Sequence, residues 1–185
     1  MFTKRTELAI EAHELWQESA GKTTRLAGVK ATEKKTQGYP VTQVDILDRE
    51  GEAALGKPAG SYRTLDLTAV WQRGDGFCDR GGRAVGQQVK ELTPDSGPVL
   101  VVGLGNRAMT PDAVGPLAAD SILITRHLID AMPQHFSGFR PVAALRPGVL
   151  GTPGVESAAA VRGLVDLPHP TVVIAADPPA SPRVV

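Results

Sequence analysis

Val99-Leu100-Val101-Val102 is a short, unbroken apolar run, and the glycine-bearing stretch GLGNRAMTPDAVG follows it directly. A strand with no polar alternation is buried on both faces, as parallel strands are when helices cover both sides of a sheet. The pattern recurs twice. Val142 to Leu145 leads into RPGVLGTPG, and Thr171 to Ala176 runs straight into Asp177. Between these runs lie helical periodicities. Pro116 to Met132 carries apolar residues at Leu117, Ile124 and Leu128 and again at Ala118, Ile122, Ile129 and Met132, and Val155 to Val165 reads as a second helix. Strand and helix in alternation predict βαβ units, hence an α/β fold with a mostly parallel sheet. A length of 185 residues suits a single domain, so all motifs are expected to serve one fold.

The first half is plainer. Thr6 to Ser19 has helical composition. Leu26 to Thr32 and Val41 to Leu47 read as the arms of a hairpin around Gly38-Tyr39-Pro40. Gly51 to Leu55 gives one or two helical turns and Tyr62 to Leu67 a third strand. Gly74 to Gly86 is rich in Gly and Arg and without period, which predicts an exposed segment leading into a weak helix.

Net charge is uninformative about partners. Lys plus Arg equals Asp plus Glu at 20 each, so no net field favours nucleic acid, an anionic membrane or a charged substrate. No stretch approaches the ~20 apolar residues of a membrane helix. Cys78 is the only cysteine and has no partner for an internal disulfide, and the N-terminus shows no apolar run of signal-peptide length, so the default location is cytoplasmic.

Candidate chemistry gathers at one edge of the expected sheet. Asp112 lies in the loop after one parallel strand and Asp177 at the end of another, and the crevice beyond the carboxyl ends of such strands is where open α/β sheets bind ligands. Two carboxylates in one crevice can share a proton, one polarising a carbonyl as acid while the other activates water as base. Peptide hydrolysis by that route needs no metal or other cofactor, and the pair titrates as a unit. Each residue also has a plainer role. Asp112, next to Thr110-Pro111 and ahead of a helix, has the position of an N-terminal cap, whereas Asp177 is expected at the mouth of a buried strand, where a carboxylate needs a hydrogen-bond partner or a functional reason. His127, with Asp112 and Asp177, would make an oxygen and nitrogen donor set for a metal; the alternative is a helix histidine bonded to a neighbour. Gly103-Leu104-Gly105-Asn106-Arg107-Ala108 fits the loose dinucleotide fingerprint, but the helix starts too late to aim its N-terminus at a pyrophosphate. No Ser or Cys sits in a G-x-S-x-G context.

Longer motifs add a family. VVGLGNRAMTPDAVGP (Val101 to Pro116), ITRHL (Ile124 to Leu128), FRPVAALRPGVLGTPGVES (Phe139 to Ser157) and VVIAAD (Val172 to Asp177) resemble, in order and spacing, the germination proteases that degrade small acid-soluble spore proteins. RTELAIEA (Arg5 to Ala12) and GKPAGSYRTLDL (Gly56 to Leu67) are similar to that family's N-terminal motifs. The resemblance implies an aspartic-type endopeptidase made as a zymogen and acting in the forespore or spore core. It also implies a three-layer sandwich related to the hydrogenase-maturation endopeptidases, a homotetramer, and catalytic aspartates at Asp112 and Asp177. At DPPASPRVV the chain departs from the family's D-A-L-A continuation, so residues 1–185 are expected to be one truncated domain, inactive alone. A metal-dependent maturation endopeptidase and a non-catalytic remnant are the other readings.

The family's substrates resemble an acidic residue, a large apolar residue, Ala, any residue and a second acidic one, cut after the first. Glu7-Leu8-Ala9-Ile10-Glu11 repeats that order in this chain. Residues 1–7 are therefore expected to be a propeptide removed by self-cleavage between Glu7 and Leu8, the plainer reading being the acidic first turn of a surface helix.

Overall fold

The computed structural model describes residues 26–68, 76–166 and 169–178. The expected helix at Thr6 to Ser19 and the Glu7–Leu8 bond lie outside the described residues. The described chain divides into two compact units, one up to Leu92 and the other from Thr93 to Pro178. Its six strands form two separate three-stranded sheets, one antiparallel and one parallel. The fold is therefore mixed α/β. The antiparallel strands do not extend the parallel sheet.

In the first unit, β1 (Val29–Thr36) and β2 (Tyr39–Ile46) form the expected hairpin, paired from Val29↔Ile46 to Thr36↔Tyr39. The turn is two residues long, Gln37 at φ 53° and Gly38 at φ 88°. Two left-handed residues match the right-handed twist of the arms, and this releases Tyr39 and Pro40 into β2 rather than the turn. Asp48 then caps α1 (Arg49–Leu55), its Oδ1 accepting from the N–H groups of Glu50 and Gly51 at 3.0 Å each. The helix ends at Gly56 in the left-handed conformation. β3 (Gly60–Leu65) pairs with the other edge of β2, and Val44, Ile46 and Leu55 make the buried cluster.

The segment expected to be exposed and weakly helical is a 16-residue helix, α2 (Phe77–Leu92), running through Gly81, Gly82 and Gly86. Glycine propensity alone opposes it. Anchors along one face outweigh that cost. Gly81, Ala84 and Gln88 are buried, and the Gln88 amide donates to the Thr36 hydroxyl at 3.1 Å. Glu91 accepts from Lys34 at 2.7 Å and from Arg63 at 2.6 Å. Residues three and four apart meet the same neighbour, so one stripe fixes the helix.

In the second unit, β4 (Val99–Gly103) is buried along its whole length between β5 (Val142–Leu145) and β6 (Val172–Ala176), both parallel to it. The unbroken apolar run has the two-sided burial expected of it. Arg140 ties the entry to β4 to the entry to β5: its guanidinium donates to the carbonyls of Gly97, Pro94 and Ser96 at 2.6, 2.7 and 3.0 Å.

The single helix expected over Pro116 to Met132 is two pieces, α3 (Val114–Asp120) and α4 (Arg126–Ala131), and a further short helix, α5 (Pro133–Phe136), follows them. Thr125 causes the break. Its N–H donates to the Val142 carbonyl at 3.1 Å, its hydroxyl receives the Val142 N–H at 2.9 Å, and the same hydroxyl donates to the Arg140 carbonyl. These bonds to the start of β5 take the backbone out of helical register. α6 (Ser157–Val165) precedes β6 as expected. Among the described residues no helix is long and apolar enough to cross a membrane.

Candidate active site

The loop after β4 is held by its own backbone. Met109 donates to the Asn106 carbonyl at 3.1 Å, and Ala108 donates to the Asn106 side chain at 2.9 Å. A 3-10 turn, Thr110–Asp112, follows. Asp112 does not cap α3: the cap position is Ala113, with no side-chain bond. Its Oδ2 instead accepts the Asn106 N–H at 2.7 Å. Gly105, at φ +113°, lies so close that an added Cβ would stand 2.2 Å from the Asp112 carbonyl oxygen and 2.9 Å from Oδ1. The second glycine of the dinucleotide-like pattern thus makes room for a carboxylate of the chain itself. Asp112 is half-buried.

Asp177 follows β6 directly and is exposed. Its position is set by strand pairing. Gly103 is in register with Ala176, and the Leu104 N–H donates to the Ala176 carbonyl at 2.9 Å. Gly115 sits on both strand ends: a Cβ there would stand 2.1 Å from the Leu104 carbonyl oxygen and 2.3 Å from that of Ala176. Asp112 therefore closes the 3-10 turn three residues ahead of Gly115, which rests on the ends of β4 and β6, and Asp177 is the first residue beyond β6. Both lie at the carboxyl edge of the same parallel sheet, the placement expected from the sequence.

His127 is exposed on α4. Among the described residues no three His, Cys, Asp or Glu side chains form a group able to hold a metal ion. Sequence reasoning missed a different cluster. Asp120 at the end of α3 accepts from Arg107 through Oδ2 and from Arg146 through Oδ1. The three residues come from three separate loops or ends of the same unit, so no local pattern announces them.

Fold and site together define an α/β protein with two aspartates on one edge of a parallel sheet. Comparison with known proteins names the family. The germination protease family model matches residues 9–185, and the chain belongs to that family. A germination protease of Caldanaerobacter subterraneus subsp. tengcongensis is 40% identical over 182 residues, covering 97% of this chain and 55% of the relative. Those of Clostridium perfringens (38% identical, 98% of this chain, 56% of the relative) and Bacillus cereus strain G9842 (36%, 95%, 49%) are similar. The chain spans about half the length of the curated relatives it matches.

Proposed function

We propose that this chain carries the catalytic aspartates, Asp112 and Asp177, of an endopeptidase that opens the degradation of small acid-soluble spore proteins at germination. One observation carries the reading: Gly115 rests on the carbonyl ends of both β4 and β6, so the residues bearing the two carboxylates are referenced to the same pair of strand ends. In that site one carboxyl group holds a proton and polarises the scissile carbonyl, while the other, ionised, removes a proton from the attacking water. The two groups exchange the roles of acid and base as the tetrahedral intermediate collapses.

The reading includes a zymogen cut between Glu7 and Leu8, a homotetramer, and a fold related to the hydrogenase-maturation endopeptidases. The test joins the chain to the C-terminal part of the Caldanaerobacter relative and follows cleavage of a spore-protein peptide. Asp112→Asn and Asp177→Asn keep the side-chain shape and remove the charge, and each is expected to lower kcat by about 100-fold or more. Near-normal turnover in either variant sinks the assignment. Activity that EDTA abolishes and a divalent ion restores points to a metal-dependent reaction instead.

A further inference from the structure

A recess of about 460 Å³ opens beside Asp112, and its lining includes Gly105, Asn106, Arg107, Arg146, Gly148 and Thr152. Two of these residues touch Asp112 itself, Asn106 through its N–H and Gly105 by close approach. Two others are arginines that share a single carboxylate. Each oxygen of Asp120 receives one guanidinium, so the cluster keeps a net charge of +1. The arginine side chains are 61% and 55% exposed, against 26% for Asp120. Each guanidinium has five N–H donors, and the Asp120 bonds fix the orientation of both without exhausting them. The rest of the lining is ordered as well: Gly148 takes φ +73°, its carbonyl accepts from the Ser157 hydroxyl at 3.0 Å, and the Thr152 N–H donates to the Val149 carbonyl at 2.8 Å.

From this arrangement we infer that the recess is a substrate subsite in which Arg107 and Arg146 receive an acidic side chain of the peptide, beside the Asp112 carboxylate. The inference rests on the proposed peptidase reading and assigns the residues that select the substrate. Charge decides the preference. An aspartate at Asp112 repels a nearby anion, so an acidic side chain is favoured only where cationic donors face it, and the recess supplies two. Asp120 acts as a positioning residue: it holds the two like charges near one another and orients their planes. A bidentate carboxylate contact then needs little side-chain ordering, which is the entropy such a contact ordinarily costs.

Binding is measured without turnover, on the full 185-residue chain, by fluorescence anisotropy. The probes are a labelled peptide with a Glu-Leu-Ala-Ile-Glu core and its twin with both Glu replaced by Gln. The acidic peptide is expected to bind at least about tenfold more tightly at low salt, as hydrogen bonds to charged groups predict, and the difference is expected to shrink as ionic strength rises. Arg107→Gln with Arg146→Gln should erase the difference, and Arg107→Lys with Arg146→Lys should retain part of it, which separates a charge effect from damage to the loop. Circular dichroism checks that each variant keeps its fold. Equal affinity for the two peptides, binding of neither, or a preference that survives the double Gln change overturns the inference. Arginine-dependent binding alongside cleavage that needs neither Asp112 nor Asp177 leaves the subsite standing and removes the proposed mechanism instead.

Discussion

Asn106 donates its backbone N–H to the Asp112 carboxylate at 2.7 Å, across a loop that closes only because Gly105, between β4 and Asn106, has no side chain. Gly105→Ala should therefore push Asp112 away and strain a backbone at φ +113°. A loss of about 2 kcal/mol or more is expected, since an L-residue at positive φ and a contact with no room to relax act together. Urea unfolding followed by amide exchange at Leu100 in β4 measures it. An unchanged midpoint contradicts the tight packing of this loop.

Glu91 gives a pH prediction. Hydrogen bonds from Lys34, then from Gln87, hold its carboxyl down to about 2 from an ordinary 4.5. The folded value is the lower one, so the contribution is fully present above about pH 4.5 and is lost as pH falls toward 2. Helix α2 should loosen from the hairpin across that window, seen as faster amide exchange around Gln88. Glu91→Gln should weaken the attachment at neutral pH and remove this part of the acid dependence; an unchanged acid profile would count against the assignment.

The buried pair Gln88 and Thr36 should respond to substitution as a couple. Gln88→Leu removes the donor to a hydroxyl on a residue only 4% exposed, and an unpaired buried polar group costs about 1–3 kcal/mol. Thr36→Val in the Gln88→Leu background should recover part of that loss, because it removes the hydroxyl left unpaired, while the bond from Arg63 to Gln88 at 3.3 Å stays lost. A double-mutant cycle reads the coupling, and strict additivity would show that the bond contributes nothing.

Arg140→Lys keeps the charge and loses the planar fork that reaches three carbonyls. We expect a destabilisation of about 1.5–3 kcal/mol, in the range of charge-assisted hydrogen bonds, with fraying concentrated at Pro94 to Gly97. Thermal unfolding with amide exchange over those residues is the measurement. Wild-type stability would mean that solvent serves these carbonyls equally well.

Processing supplies the last prediction. In the joined protein described above, acidification should cut between Glu7 and Leu8, since a carboxylate pair must hold one proton to act. Mass spectrometry should then find Leu8 at the new N-terminus. An intact N-terminus in a preparation active on added peptide refutes this site.

What the sequence revealed, and what it hid, follows from how far apart the causes lie. Val99 to Val102 was legible because two-sided burial writes itself into every residue of a short run, whereas Val142 to Leu145, equally apolar, is only half-buried. Asp112 and Asp177 were placed at the right edge because strand polarity fixes which loops share it. The break at Thr125 was hidden, since it depends on bonds to Arg140 and Val142, and the local apolar period continues through it. Helix α2 was hidden for the opposite reason: Gly81, Gly82 and Gly86 weaken the local signal, while the anchors at Thr36, Lys34 and Arg63 come from strands far back in the chain. The Arg107, Asp120 and Arg146 cluster has no spacing that a motif could capture.

Gly115 has a consequence for any attempt to rebuild this site. With its Cα seated against the Leu104 and Ala176 carbonyls, the gap between the helix start and the strand ends is a fixed gauge set by main-chain atoms. Side chains around it can be exchanged while that gauge holds. Even one added methyl group at residue 115 would lift the turn carrying Asp112 while Asp177 stayed with its strand, so the spacing of the two acids would be lost without either acid being touched.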